Sequence, residues 1–311
     1  MDIQYLLFLQ NNVRSDSLTP IMMFLSDFSI SFYILAAMFV VYWCVDKKSG
    51  FALMFSTALG MILNAIFKLS FCIYRPWVRN SAVMPPQEAF VTATGYSFPS
   101  GHAQNAVCLY GTGAYLFWNK KRWSAVLLIV YILIVGFSRN YLGVHTPQDV
   151  IVGFLLGGYS IVKTIEMLKY YDQKDKKTEL LMLGKGLLIA AIAILYFTYK
   201  NYPISYDEAG NLLVDPDKMM KDGFAAVGMW MGFIIGMFLE RHYIDFNTDA
   251  SVKMLILRGI IGVISLYFLA HYAKIYLNLY LAPCWAAFML WFIELFYVSA
   301  IYPAIFKKAR F

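Results

Sequence analysis

The sequence predicts an all-α, polytopic membrane helix bundle with about nine transmembrane helices. Three observations lead there. Hydrophobic residue types make up 60 % of the 311 residues and charged types only 14 %. The mean hydropathy is +0.59, and so few charges could not cover the surface of a soluble domain of this length. The apolar residues also gather in stretches of about 17–25, the length that crosses a bilayer. The same balance excludes a disordered chain. The net charge of +7 falls in short runs between apolar stretches, which excludes a continuous nucleic-acid face. Four cysteines, Cys44, Cys72, Cys108 and Cys284, lack metal-ligand spacing and read as small hydrophobes.

Residues 1–28 read as an interfacial amphipathic pair rather than a span. Ile3, Leu6, Leu7 and Leu9 carry an apolar face, Asn11 and Asn12 interrupt it, and Thr19-Pro20 restarts a second short helix ending near Asp27. Spans follow at 29–45, 51–69, 101–118, 123–138 and 148–169, then at 184–199, 223–239, 253–271 and 284–305. The fourth and sixth are the shortest. The polar linker Tyr170–Thr178 divides the chain into a core of five spans, 29–170, and a four-span C-terminal extension, 171–311. No basic n-region precedes a cleavable apolar core, so no signal peptide is expected. Trp43, Trp118, Trp123 and Trp285 fall near span ends, as an aromatic belt requires. One set of loops carries fifteen lysines and arginines and the opposite set nine. The richer side is expected to be cytoplasmic, with the N-terminus outside and the C-terminus inside.

Three stretches carry more chemistry than a bundle needs. Lys68-LSFCIY-Arg75-Pro76 leaves the second span, Pro99-Ser100-Gly101-His102 enters the third, and Ser138-Arg139-NYLGV-His145-TPQ-Asp149 joins the fourth to the fifth. By the span count all three lie at one non-cytoplasmic face, the side poorer in basic residues. Lys68, Arg75 and Arg139 nevertheless meet there. An arginine fork matches phosphate oxygens and lysine adds a compact charge. Gly101 opens a helix after Ser100, so free backbone N–H groups and the positive helix end point the same way. Ser100 serves as N-cap and phosphate ligand together. Neutral His145 can attack phosphorus. Asp149, four residues on at a helix start, can hold one ring nitrogen and aim the other. His102 is then the acid for the leaving alcohol. No cluster has metal-ligand spacing, so neither a metal nor another cofactor is expected, and the three cations take the place of a metal clamp.

The pattern K-x6-RP, then PSGH, then SR-x5-H-x3-D resembles that of the type 2 phosphatidic acid phosphatase superfamily, and all eleven specified positions match in order and spacing. The resemblance implies Lys68, Arg75, Ser100, Gly101 and Arg139 as phosphate ligands, His145 as nucleophile, Asp149 as its partner and His102 as acid. It covers residues 29–170 closely. The rest departs from the common six-span form: one N-terminal span is missing and four follow the core. A nine-span layout with the N-terminus outside is similar to glucose-6-phosphatase and the sphingosine-phosphate phosphatases, the latter carrying a second motif worded differently from PSGH.

The expectation is therefore an integral-membrane, metal-independent phosphatase. It hydrolyses a lipid phosphate or diphosphate, undecaprenyl diphosphate or a glycerophospholipid phosphate first among them, through a phosphohistidine at the extracytoplasmic face. A soluble sugar phosphate is the other substrate class left open by the span count. The expected partners are that lipid and the bilayer, with no nucleic acid and no protein partner. The absence of an N-x-S/T sequon fits a bacterial inner membrane. Glu294, near the middle of the ninth span, motivates a second reading as a transporter or lipid-handling protein in which the phosphatase site only binds. Haloperoxidase chemistry, which would need vanadate, is a distant third. His242 and His271 read as interface residues, Arg258 as a snorkelling arginine, and the acidic loop 200–222 as solvated.

Overall fold

The computed structural model describes residues 2–309, and these form helices and loops with one isolated antiparallel bridge, Tyr206–Leu212. In chain order the helices are α1 Asp2–Asn12, α2 Leu18–Phe28, α3 Phe32–Val40, α4 Lys47–Phe71, α5 Pro76–Arg79, α6 Gly101–Ala106 and α7 Thr112–Phe117. Then come α8 Arg122–Tyr141, α9 Pro147–Tyr171, α10 Lys176–Tyr199, α11 Pro216–Leu239, α12 Val252–Tyr280, α13 Pro283–Phe296 and α14 Tyr302–Ala309. Local chemistry sets several starts. Prolines open α9, α11 and α13, where a missing N–H costs nothing. Asp175 caps Lys177 and Thr178 at α10, and Ser251 caps Met254 at α12.

Among the described residues, eight helical runs are long and apolar enough to cross a membrane. The expected third span is the exception. It is present as α6, a π-turn over Val107–Gly111 and α7, which together reach only about 25 Å at 1.5 Å per residue. The first run starts at Leu18, earlier than the sequence suggests, because α2 passes into α3 across residues 29–31 alone.

Two compact units, each assembled from separate stretches, make up the fold. The first takes residues up to Ile34, Leu63–Val162 and Asn201–Met219. Within it α8 is the central post, packed against α1, α2, α6 and α7. Tyr141, Leu142 and Val144 close over Ala89 and Ala93, with Val13, Leu18, Met22 and Trp77 around them. Tyr131 Oη donates to Leu25 O at 2.7 Å and Tyr110 Oη to Ser29 O at 3.3 Å, which ties down the end of α2. Gly153 and Gly157 on α9 decide how near α6 comes. A Cβ on Gly153 would lie 2.8 Å from Ser100 O, and one on Gly157 would lie 2.6 Å from Val107 Cβ. Small residues at this spacing let two helix backbones touch, which in a membrane stabilises more than apolar area does.

The second unit takes Leu35–Ile62, Lys163–Lys200 and the chain from Met220 on. Here α12 packs on α13, and the indole of Trp43 donates to Val298 O at 2.8 Å while its ring meets Tyr302 edge-on at 4.7 Å. Backbone contacts again set the spacing: a Cβ on Gly228 or Gly232 would strike Phe288 O or Phe292 O. One polar end holds Lys47–Glu240 at 2.6 Å, and Glu179 bonded to both Arg241 and His242. Arg258 does not snorkel. It is buried, donates to Trp43 O at 2.9 Å and Asn247 O at 3.1 Å, and lies over the Phe306 ring. Two carbonyls satisfy the guanidinium more cheaply than stretching to water would.

Candidate active site

The eight residues singled out by the motifs all fall in the first unit. His145 leads into α9 and is buried, as is Asp149 in the first turn of that helix. Gly143, at φ +72°, makes the left-handed turn that reverses the chain between α8 and α9. Arg139, at the end of one helix, and His145, before the next, thereby come together. Asn140 Nδ2 donates to His145 O at 2.9 Å and fixes that turn. On the ring, Nδ1 stands 3.4 Å from Asp149 Oδ2 and Nε2 stands 2.9 Å from Arg75 Nη1. A guanidinium can only donate, so Nε2 carries the lone pair and Nδ1 the proton. Asp149 Oδ2 also accepts from Ser97 Oγ at 2.6 Å and Thr146 N at 2.8 Å. The helix N-terminus further favours its charge.

Arg75 does two jobs. It donates from Nε to Gly95 O at 3.0 Å, from Nη2 to Thr94 O at 3.1 Å and from Nη1 to Val144 O at 2.9 Å. Those bonds stitch the loop before α6 to the His145 turn. Lys68, in the last turn of α4, donates to Tyr96 O and Pro99 O at 3.0 Å each. Ser100 is fully buried, caps α6 by accepting from Ala103 N at 3.5 Å, and donates its own N–H to Asp149 O at 2.9 Å. Gly101 has Asn64 Oδ1 as its nearest neighbour, 3.7 Å from where a Cβ would stand. The Ser100–Asp149 bond ties the α6 N-terminus to the first turn of α9, beside His145.

Arg139 is 1 % exposed, yet Nε and Nη2 have no hydrogen-bond partner among the described residues. Only Nη1 is satisfied, by Ser26 Oγ at 2.6 Å. Native proteins seldom bury such donors without an acceptor. A phosphoryl oxygen would supply one, in the bidentate geometry that arginine favours. His102, also buried, turns Nε2 toward Asp27, with 3.9 Å to Oδ1 and no hydrogen bond among the described residues. No group of three His, Cys, Asp or Glu able to hold a metal is found among the described residues.

Residues 49–173 match the PAP2 superfamily, and residues 224–311 match the transmembrane extension of PAP2 superfamily phosphatases. The undecaprenyl-diphosphatase of Sulfolobus acidocaldarius is 31 % identical over 46 % of this chain and 67 % of its own length. The chain belongs to the PAP2 superfamily. Phosphatidylglycerophosphatase B of Bacillus subtilis is 33 % identical over 38 % of the chain and 60 % of that protein. Human sphingosine-1-phosphate phosphatase 2 is 28 % identical over 47 % and 35 %. The chain thus spans 60 % or less of those two relatives. No solved structure gives a significant match.

In this PAP2 membrane phosphatase the motifs miss three side chains that touch the site. Ser97 holds Asp149, Ser26 holds Arg139, and Asp27 faces His102. Ser97 lies three residues before Ser100 and could have been suspected from that closeness. Ser26 and Asp27 carry no local signal, being more than seventy residues from the groups they meet. Glu294 lies in α13 of the second unit and meets no charged partner among the described residues. Nothing therefore favours reading it as part of a transport path.

Proposed function

We propose that this PAP2 phosphatase hydrolyses a lipid phosphate or diphosphate through a phosphohistidine intermediate, at the extracytoplasmic face of its membrane. The observation that carries the reading is the buried His145 ring, with Asp149 on Nδ1 and a lone pair on Nε2 beside the cations. In the first step Nε2 attacks phosphorus, the P–O bond to the leaving group breaks, and His102 gives its proton to the departing oxygen. In the second, His102 takes a proton from water, whose oxygen displaces His145 and releases inorganic phosphate. Lys68, Arg75, Arg139, the Ser100 hydroxyl and the Gly101 N–H stabilise the phosphoryl oxygens as charge builds. Asp149 orients the imidazole and stabilises its positive charge without taking the proton.

Exposed Phe24, Phe28, Phe90 and Val91 flank Asp27 and its neighbour Thr92. That apolar rim supports a substrate sliding in sideways with its phosphate at headgroup depth. The lipid phosphates in the names of the relatives support the same class. Orientation rests on the lysine and arginine asymmetry between loops, and a bacterial cytoplasmic membrane on the lack of a sequon. The test is phosphate release by detergent-purified protein in EDTA. The panel holds undecaprenyl diphosphate, phosphatidic acid, phosphatidylglycerophosphate, sphingosine 1-phosphate and glucose 6-phosphate. A lipid is expected to be hydrolysed without metal, and vanadate to inhibit. Strict dependence on an added divalent cation, or turnover of glucose 6-phosphate alone, would overturn the proposal.

The pH dependence follows from His145. Burial, and next the charge of Arg75, hold its imidazolium well below the ordinary range near 6.5, against the smaller pull of Asp149. The nucleophile is neutral above that lowered value and is lost only as pH falls through it. The acid limb of kcat/KM is expected well below pH 6.5; a limb centred at or above that value would contradict the assignment.

A further inference from the structure

We infer that Asp27 is a positioning residue for His102, the carboxylate that keeps a proton on the acid. The inference rests on the phosphohistidine reading and adds to it a residue outside all three motifs. His102 must be an imidazolium to donate, and must become one again when it takes the proton of water. Its surroundings oppose that charge: burial first, then Arg139 from α8, His145 from the turn before α9, and Arg75 and Lys68 from α4 and the residues after it. An imidazolium among cations needs a compensating anion. Asp149 faces the other histidine. Asp27 Oδ1, 3.9 Å from His102 Nε2, is the carboxylate that faces this one.

The placement of Asp27 is built. Tyr131 and Tyr110 anchor the carbonyls of Leu25 and Ser29 on either side of it, and Arg139 holds the neighbouring Ser26. Thr92 Oγ1 donates to Asp27 Oδ1 at 3.4 Å. Helix stability does not account for the residue. Asp27 sits in the last turn of α2, where the helix dipole disfavours negative charge. Its side chain remains 44 % exposed, so no core depends on it. The proton travels from His102 to the leaving oxygen and then from water to His102, and Asp27 takes no part in the transfer.

The experiment compares Asp27→Asn with the parent protein on a lipid phosphate and on p-nitrophenyl phosphate. The latter has a leaving group good enough to need little acid catalysis. The loss of kcat on the lipid is expected to exceed that on the aryl ester by about tenfold, and the basic limb of kcat/KM to move down by about one pH unit. Asp27→Glu should recover most of the lipid activity. Asp27→Ser, which also removes the charge, serves should Asp27→Asn not fold, with thermal melting as the check. Equal losses on both esters would mean a structural or binding role, and parent-like ratios and pH limbs would mean no role; either overturns the inference. His145→Ala run alongside separates the two levels, since activity surviving in it would overturn the phosphohistidine reading itself.

Discussion

Replacing His145 with alanine is expected to abolish turnover, lowering kcat by about 10⁴-fold or more, while the protein stays folded. The size follows from the loss of a covalent route. Without Nε2, water must attack phosphorus directly, and the cations then stabilise a reaction that lacks an aligned nucleophile. Folding should survive because the groups around the ring keep partners. Asp149 Oδ2 retains Ser97 Oγ and Thr146 N, and Arg75 retains three backbone carbonyls. The direct measurement is single turnover with ³²P-labelled substrate, quenched in alkaline denaturant. The parent protein should carry acid-labile, base-stable label that disappears in the variant. Label that persists in His145→Ala, or turnover within tenfold of the parent, would assign the nucleophile elsewhere.

Arg139→Lys is expected to lower kcat/KM by about 100-fold, and Arg139→Ala by about 1,000-fold, with vanadate binding weakened in step. Lysine keeps the charge but not the planar fork. Three of the arginine's features matter. Nη1 is held by Ser26, which fixes the plane of the guanidinium, while Nε and Nη2 are buried donors with no acceptor among the described residues. An ammonium at that position could reach Ser26 or the phosphoryl group, not both. The measurement is kcat, KM and the vanadate inhibition constant for both variants, with thermal melting alongside. Because the guanidinium carries two unsatisfied donors in a buried setting, its removal should not lower the melting temperature much and could raise it. Kinetic constants within threefold of the parent for Arg139→Lys would reduce Arg139 to a tether for α2.

The eight motif residues were legible before any coordinates because each cluster is local. Lys68 and Arg75 lie near one helix end, Ser100 to His102 open another, and Arg139 to Asp149 span one turn. Helix geometry then forces His145 and Asp149 together at a spacing of four. That the three clusters share a face could be counted from the spans, an expectation that depends on topology but not on packing. The two short N-terminal helices were legible too, from the Asn11-Asn12 break and the Thr19-Pro20 restart. They differ from expectation in what they touch: α1 and α2 pack on α8, and α2 brings Ser26 and Asp27 to the site.

Span lengths were less secure. Residues 101–118 are apolar enough to cross, and the helix there runs unbroken over Gly101–Phe117 through a π-turn, but it is shorter than the other crossing runs. Arg258 misled in another way. A sequence reports distance to the nearest span end, so an arginine five residues in reads as snorkelling, whereas the carbonyls of Trp43 and Asn247 that accept from it lie elsewhere in the chain.

Composition and spacing alone decide that this chain lives in a membrane, is helical, and carries the motifs of the PAP2 superfamily. Those features depend on solvent and on contacts within a turn or two of helix, and both are written locally. Tertiary structure alone decides which arginine keeps donors to spare, which serine fixes its plane and which carboxylate faces His102. Each of these joins groups from different helices, and such contacts arise only when the backbones are brought close, here by Gly153 and Gly157 under α6 and by the tyrosines that pin the end of α2.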